Sequence, residues 1–134
     1  MDPLIVESKQ GDFELVSKFT YTYKDGLCIE VPIGFVSNFA SVPQCLQGII
    51  QPFGDHEKAA VVHDYLYSTE CTIFMTRKKA DVIFLHMMKE LGVSYVKRTF
   101  MYRAVRLFGK SFWRHNKPGC MGSLCCIKNT TDVL

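Results

Sequence analysis

A chain of 134 residues with 48% apolar and 22% charged side chains fits one globular domain and is too short for two. That composition excludes a disordered or collagen-like chain, and no apolar run approaches the roughly 20 residues that span a bilayer. The net charge of +3 hides an asymmetry: residues 1–96 hold 8 Lys/Arg against 12 Asp/Glu, or −4, while residues 97–134 hold 8 against Asp132 alone, or +7.

The first residues, Met1-Asp2-Pro3-Leu4, lack the basic start and apolar centre of a secretory signal, so export by that route is not expected. Six cysteines show no CxxC and no zinc-ribbon spacing, which argues against a disulfide scaffold, and the late group His115, Cys120, Cys125, Cys126 fits no strong metal template. Residues 1–11 read as an N-terminal arm, 12–115 as a single α+β domain and 116–134 as a C-terminal extension.

Phe13, Leu15, Ser17, Phe19, Tyr21 and Tyr23 share one parity of an aromatic-rich run, and Leu27, Ile29, Val31 and Ile33 share one parity of the next. Period two means strands, and the intervening Asp25-Gly26 is a strong hairpin signal. The pattern predicts one β-hairpin over 13–33. Ser41 and Pro43 suggest a short helix or turn.

Three helices follow. The first is expected over about 55–68, with Ala59, Ala60, Val62, His63, Leu66 and Tyr67 at steps of three and four. Thr76 caps the second, whose stripe is Ala80, Ile83, Phe84, Met87, Met88 and Leu91, with Gly92 as its stop. The third starts at Ser94, carries Val96, Phe100, Met101, Ala104, Val105 and Phe108 as its buried stripe, and ends at Gly109. The predicted fold is an N-terminal β-hairpin packed on about three α-helices.

The chemically informative run is His63-Asp64-Tyr65-Leu66-Tyr67. His63 and Tyr67, four apart, share a helix face, with Asp64 turned about 100° away. Asp81 is an acid within the second helix's apolar stripe. Antiparallel packing of the two helices would bring Asp81 to His63, where it would orient the ring through Nδ1. A carboxylate holding an imidazole that faces water is the core of a hydrolytic site. The same residues can instead satisfy one another as a buried polar lock.

His-Asp-x-x-Tyr on one helix with Ala-Asp-x-x-Phe on the next, about residues 56–90, resembles the catalytic helix pair of phospholipase A2 enzymes. The resemblance implies His63 as general base for water, Asp81 as its partner, Tyr67 as a supporting hydroxyl and Asp64 as ligand of a divalent cation such as calcium. The glycine-rich calcium loop of those enzymes is not recognisable here, although Gly48 and Gly54 lie in the corresponding stretch.

A longer resemblance spans about residues 12–114. Phe13-Glu14-Leu15, Val31-Pro32-Ile33-Gly34-Phe35-Val36, Phe39-Ala40-Ser41-Val42-Pro43, the segment Ala59 to Tyr67, Ala80-Asp81 and the segment Ala104 to Gly109 are similar to domain of unknown function family 1353. That family comprises small phage and prophage proteins. Asn38 stands where it usually has Asp, and an amide can coordinate a metal but cannot take a proton. The resemblance thus implies a phage gene made in the host cytoplasm, with a pocket either active or vestigial.

Two function classes follow. One is a hydrolase acting on a cell-envelope component, a lipid ester or peptidoglycan, through His63, Asp81 and Tyr67. The other is a non-catalytic virion or tail-associated protein that grips another phage structural protein. In either, Lys97, Arg98, Arg103, Arg106, Lys110 and Arg114 form a candidate basic binding face. Nucleic acid is the weaker partner, because the aromatics among these cations fall on the expected apolar stripe of the third helix.

Overall fold

The computed structural model describes residues 3–9, 12–37 and 56–113. Asn38, the expected turn at Ser41 and Pro43, Gly48, Gly54, Arg114 and the late His/Cys group lie outside them. The architecture is α+β, with an N-terminal β region and three packed helices. Strands β1 (Val6–Lys9), β2 (Asp12–Leu15), β3 (Phe19–Thr22), β4 (Cys28–Val31) and β5 (Val36–Ser37) precede helices α1 (Glu57–Tyr67), α2 (Arg77–Glu90) and α3 (Tyr95–Phe108) and a 3-10 turn, Gly109–Phe112.

The single hairpin expected over 13–33 is instead two sheets. Strand β2 pairs with β1 and β5 in an antiparallel three-stranded sheet, while β3 and β4 form a separate hairpin with Phe19 opposite Val31 and Thr22 opposite Cys28. Parity nevertheless assigns burial at most positions: Phe13, Leu15, Phe19, Tyr21, Tyr23, Ile29 and Val31 are buried, while Ser17 and Leu27 are half-buried. The Asp25-Gly26 turn is present. Gly26 adopts φ 91°, the Asp25 carboxylate accepts from Leu27 N at 3.0 Å, and Tyr23 N donates to Leu27 O at 2.8 Å.

Ile33 is exposed rather than buried. Pro32 has no N–H to continue the ladder, and Gly34, at φ 86°, turns the chain so that Gly34 N donates to Leu15 O at 2.8 Å and Leu15 N to Phe35 O at 2.9 Å. Strand β4 therefore ends before Ile33, and the chain is led back to β2 as strand β5.

The helices follow their sequence signals closely. Thr76 Oγ1 accepts from Lys79 N at the start of α2, and Ser94 Oγ accepts from Lys97 N at the start of α3. Helix α2 ends in a Schellman motif: Gly92, at φ 82°, donates to Lys89 O while Val93 N donates to Met88 O. The short Leu91–Ser94 connection folds α3 back along α2. The core joins Leu15, Phe19, Ile29 and Val31 to Val62, Leu66, Ile83, Phe84, Met87, Met88, Met101 and Val105.

The third helix departs from expectation. Met101, Ala104 and Val105 are buried, but Val96, Phe100 and Phe108 are exposed. Only one side of α3 meets α2, and nothing among the described residues covers the other. Gly109 also plays an unexpected part. Its φ is −75°, an ordinary helical value, and the chain continues into the 3-10 turn. A Cβ there would lie 2.9 Å from the Tyr67 hydroxyl, so glycine is required by close approach rather than by a left-handed cap.

Candidate functional site

Helix α1 is nearly surrounded by protein, with Ala59–His63 and Tyr65–Tyr67 buried, so the i, i+4 pair His63 and Tyr67 points inward. Helix α2 presents Asp81 to both. His63 lies against Phe84 as well as Asp81, while Tyr67, one turn later on α1, reaches back to Asp81, so the contacts run in opposite senses along α1 and α2, as antiparallel packing requires.

Asp81 is the centre of the site. Its Oδ1 lies 2.7 Å from His63 Nε2 and accepts from the Tyr67 hydroxyl at 2.5 Å, and its Oδ2 accepts from Arg106 Nη1 at 2.7 Å. Arg77 Nη1 stands 3.6 Å from Oδ2, one turn earlier on α2. The side chains of His63 and Asp81 are 1% and 0% exposed, whereas that of Arg106 is 32% exposed and reaches solvent.

Burial by itself raises the Asp81 pKa, but the bonds from His63, Tyr67 and Arg106 outweigh it and hold the carboxyl below its ordinary value. The Tyr67 hydroxyl is pushed far up by burial and by its bond to Asp81, so it serves as a donor. Arg106 is raised by its bond to Asp81. The pair is therefore an ionised, fully engaged carboxylate beneath an imidazole.

The carboxylate engages Nε2, not the Nδ1 expected from the sequence. Nε2 is the ring nitrogen farther from the α1 backbone, and Tyr67 reaches the same carboxylate oxygen. In a neutral ring an ionised acceptor on Nε2 favours the tautomer that carries its proton there. The ring is clamped between Tyr67, with centroids 4.2 Å apart, and Phe84, at 4.5 Å.

Asp64, on the adjacent side of α1, is half-buried and accepts from the buried Ser37 hydroxyl at 2.6 Å. Calcium takes six to eight oxygens. Among the described residues no three His, Cys, Asp or Glu side chains gather to hold a metal ion, and Ser37 and Asp64 alone do not make such a site.

Among the candidate basic-face residues, Arg103 and Lys110 are exposed and Lys97 is half-exposed. Arg98 donates to Val93 O at 3.0 Å and lies over the Tyr95 ring, while Arg106 is turned onto Asp81. Two participants escaped sequence reasoning. Ser37 carried no signal, since its partner lies 27 residues away. Arg77 did carry one, being four residues before Asp81 on one helix. It also donates to Val105 O at 3.1 Å and Arg106 O at 3.3 Å, tying α2 to the end of α3.

Residues 13–105 match the protein family described as "Protein of unknown function (DUF1353)". The chain is 36% identical over 107 residues to the uncharacterized protein y4jT of Sinorhizobium fredii, a match covering 78% of this chain and 31% of that protein. The chain thus spans about a third of the length of the curated relative it matches. No solved structure matches it.

Proposed function

The chain belongs to the DUF1353 family, and from that premise we propose that it is a phage or prophage hydrolase-type protein in which His63 is the general base and Asp81 orients it. The observation that carries this reading is the 2.7 Å contact between His63 Nε2 and an Asp81 carboxylate held ionised by three hydrogen bonds. In the proposed step, the His63 ring takes a proton from water as the water oxygen attacks an acyl carbonyl. Asp81 stabilises the imidazolium that forms, and the ring returns the proton to the departing oxygen as the ester bond breaks, yielding acid and alcohol. Tyr67 and Arg106 act through Asp81 as positioning residues. The substrate class is a cell-envelope component, with a lipid ester the first to test and peptidoglycan the second.

One observation favours a second reading. His63 and Asp81 are buried and their network joins three helices, as befits a polar lock in a non-catalytic virion or tail protein. The test is hydrolysis of a dispersed short-chain ester, phosphatidylglycerol vesicles and peptidoglycan sacculi by the full chain and by His63→Ala and Asp81→Asn. Turnover of any substrate that falls at least about a hundredfold in His63→Ala supports the hydrolase, since general-base contributions are of that order or larger. No turnover above the His63→Ala background, with both variants merely less stable, leaves the lock. Calorimetric titration with Ca²⁺, beside Asp64→Asn, reports whether Asp64 contributes to a cation site.

A further inference from the structure

Helix α3 exposes Val96, Phe100 and Leu107, at 77%, 47% and 75%, on the side opposite buried Met101 and Val105. With Arg103 they recur at steps of four, three and four, so they form one ridge along a helix about 21 Å long. Tyr95, at 70%, and Phe108, at 56%, are also exposed, to either side of the ridge near its two ends. From Leu91 to Trp113 there is no Asp or Glu, while Lys97, Arg98, Arg103, Arg106 and Lys110 are cationic. Two of these are occupied by internal bonds, Arg98 and Arg106, which leaves Arg103 within the ridge, Lys97 near its start and Lys110 just past its end.

We propose that this face of α3 docks the protein on an anionic lipid surface. Exposed apolar area of this kind marks an interaction site, and the charge around it selects an anionic counterpart. The shape decides between lipid and protein. A protein partner would need a preformed groove to receive a convex ridge, whereas a bilayer moulds to it, taking the apolar side chains among the acyl chains and the cations among the headgroups. The inference concerns residues outside the Asp81 network and holds whether or not His63 is a base.

The test uses the full chain with vesicles of phosphatidylcholine alone or mixed with phosphatidylglycerol, read by co-flotation. Binding to the mixed vesicles is expected, and little binding to phosphatidylcholine. Val96→Ser with Leu107→Ser should weaken binding at least tenfold. Arg103→Gln should weaken it about fivefold, the usual contribution of one surface cation. These positions are exposed, so thermal unfolding should be unchanged. Binding unaffected by the Ser pair, equal binding to both vesicle types, or sedimentation showing that the Ser pair dissolves a dimer would each overturn the proposal. The hydrolase reading fails independently, by absence of turnover on every substrate, including the dispersed ester and the sacculi, which require no docking on a bilayer.

Discussion

At the scale of single residues, Asp81 carries the greatest demand. A carboxylate that is 0% exposed exists there because three donors replace water, and each depends on the charge being present. Removing it strands the His63 N–H, the Tyr67 hydroxyl and a guanidinium. Asp81→Ala should therefore cost about 3–5 kcal/mol in denaturant unfolding, the usual loss on breaking a buried charged pair. Arg106→Ala should cost much less, because its side chain is one-third exposed and water can take its place. The pH dependence has a definite sign. Asp81 is lowered in the folded state, so its contribution is fully present above the unfolded carboxyl's pKa of about 3.9 and is lost as pH falls through the folded value. The stability difference between the native chain and Asp81→Asn should be constant near neutrality and should close in acid. A difference that grew on acidification would show that the carboxyl is protonated in the native fold.

At the scale of elements, what was legible in the sequence was local. Thr76, Ser94 and Gly92 act on backbone groups within a few residues, and they mark the ends of α2 and α3 where the sequence placed them. Strand parity was legible for the same reason, since alternation needs only one buried face. Pairing was not, because whether β2 joins β3, β1 or β5 depends on contacts far along the chain. The role of Gly109 was likewise hidden, as it rests on Tyr67 of another helix. Gly109→Ala should cost about 1–3 kcal/mol, the range for overpacking a filled site. The 2.9 Å approach is to the Tyr67 hydroxyl and the next, at 3.2 Å, to Cε2, so the cost should shrink but not vanish in a Tyr67→Phe background. A double-mutant cycle by thermal unfolding measures that coupling. Equal costs in both backgrounds would show that the 3-10 turn moves away instead.

At the scale of the whole molecule, the candidate site and the main core are one body. His63, Tyr67, Asp81 and Arg106 come from three helices, and Arg77 pins α2 to the last carbonyls of α3. The pairing of His63 with Asp81 was legible because two helices joined by a short loop must pack antiparallel. The arrival of Arg106 was not, since it depends on how α3 crosses α2, and its residue type suggested a surface cation. This unity has a consequence for dynamics. Segments with many buried apolar side chains open only with global unfolding, while short edge strands open locally. The amides of Ala59–Leu66, Ile83–Met88 and Met101–Val105 should therefore be the slowest to exchange with deuterated water. Those of β1, a four-residue strand paired on one side only among the described residues, should exchange first. Arg77→Ala removes the tie between α2 and α3 but no core side chain. It should raise exchange at the last turn of α3 and in the 3-10 turn while leaving Ile83–Met88 slow. If all three helices lose protection together, Arg77 supports the global packing of the helices rather than the end of α3 alone.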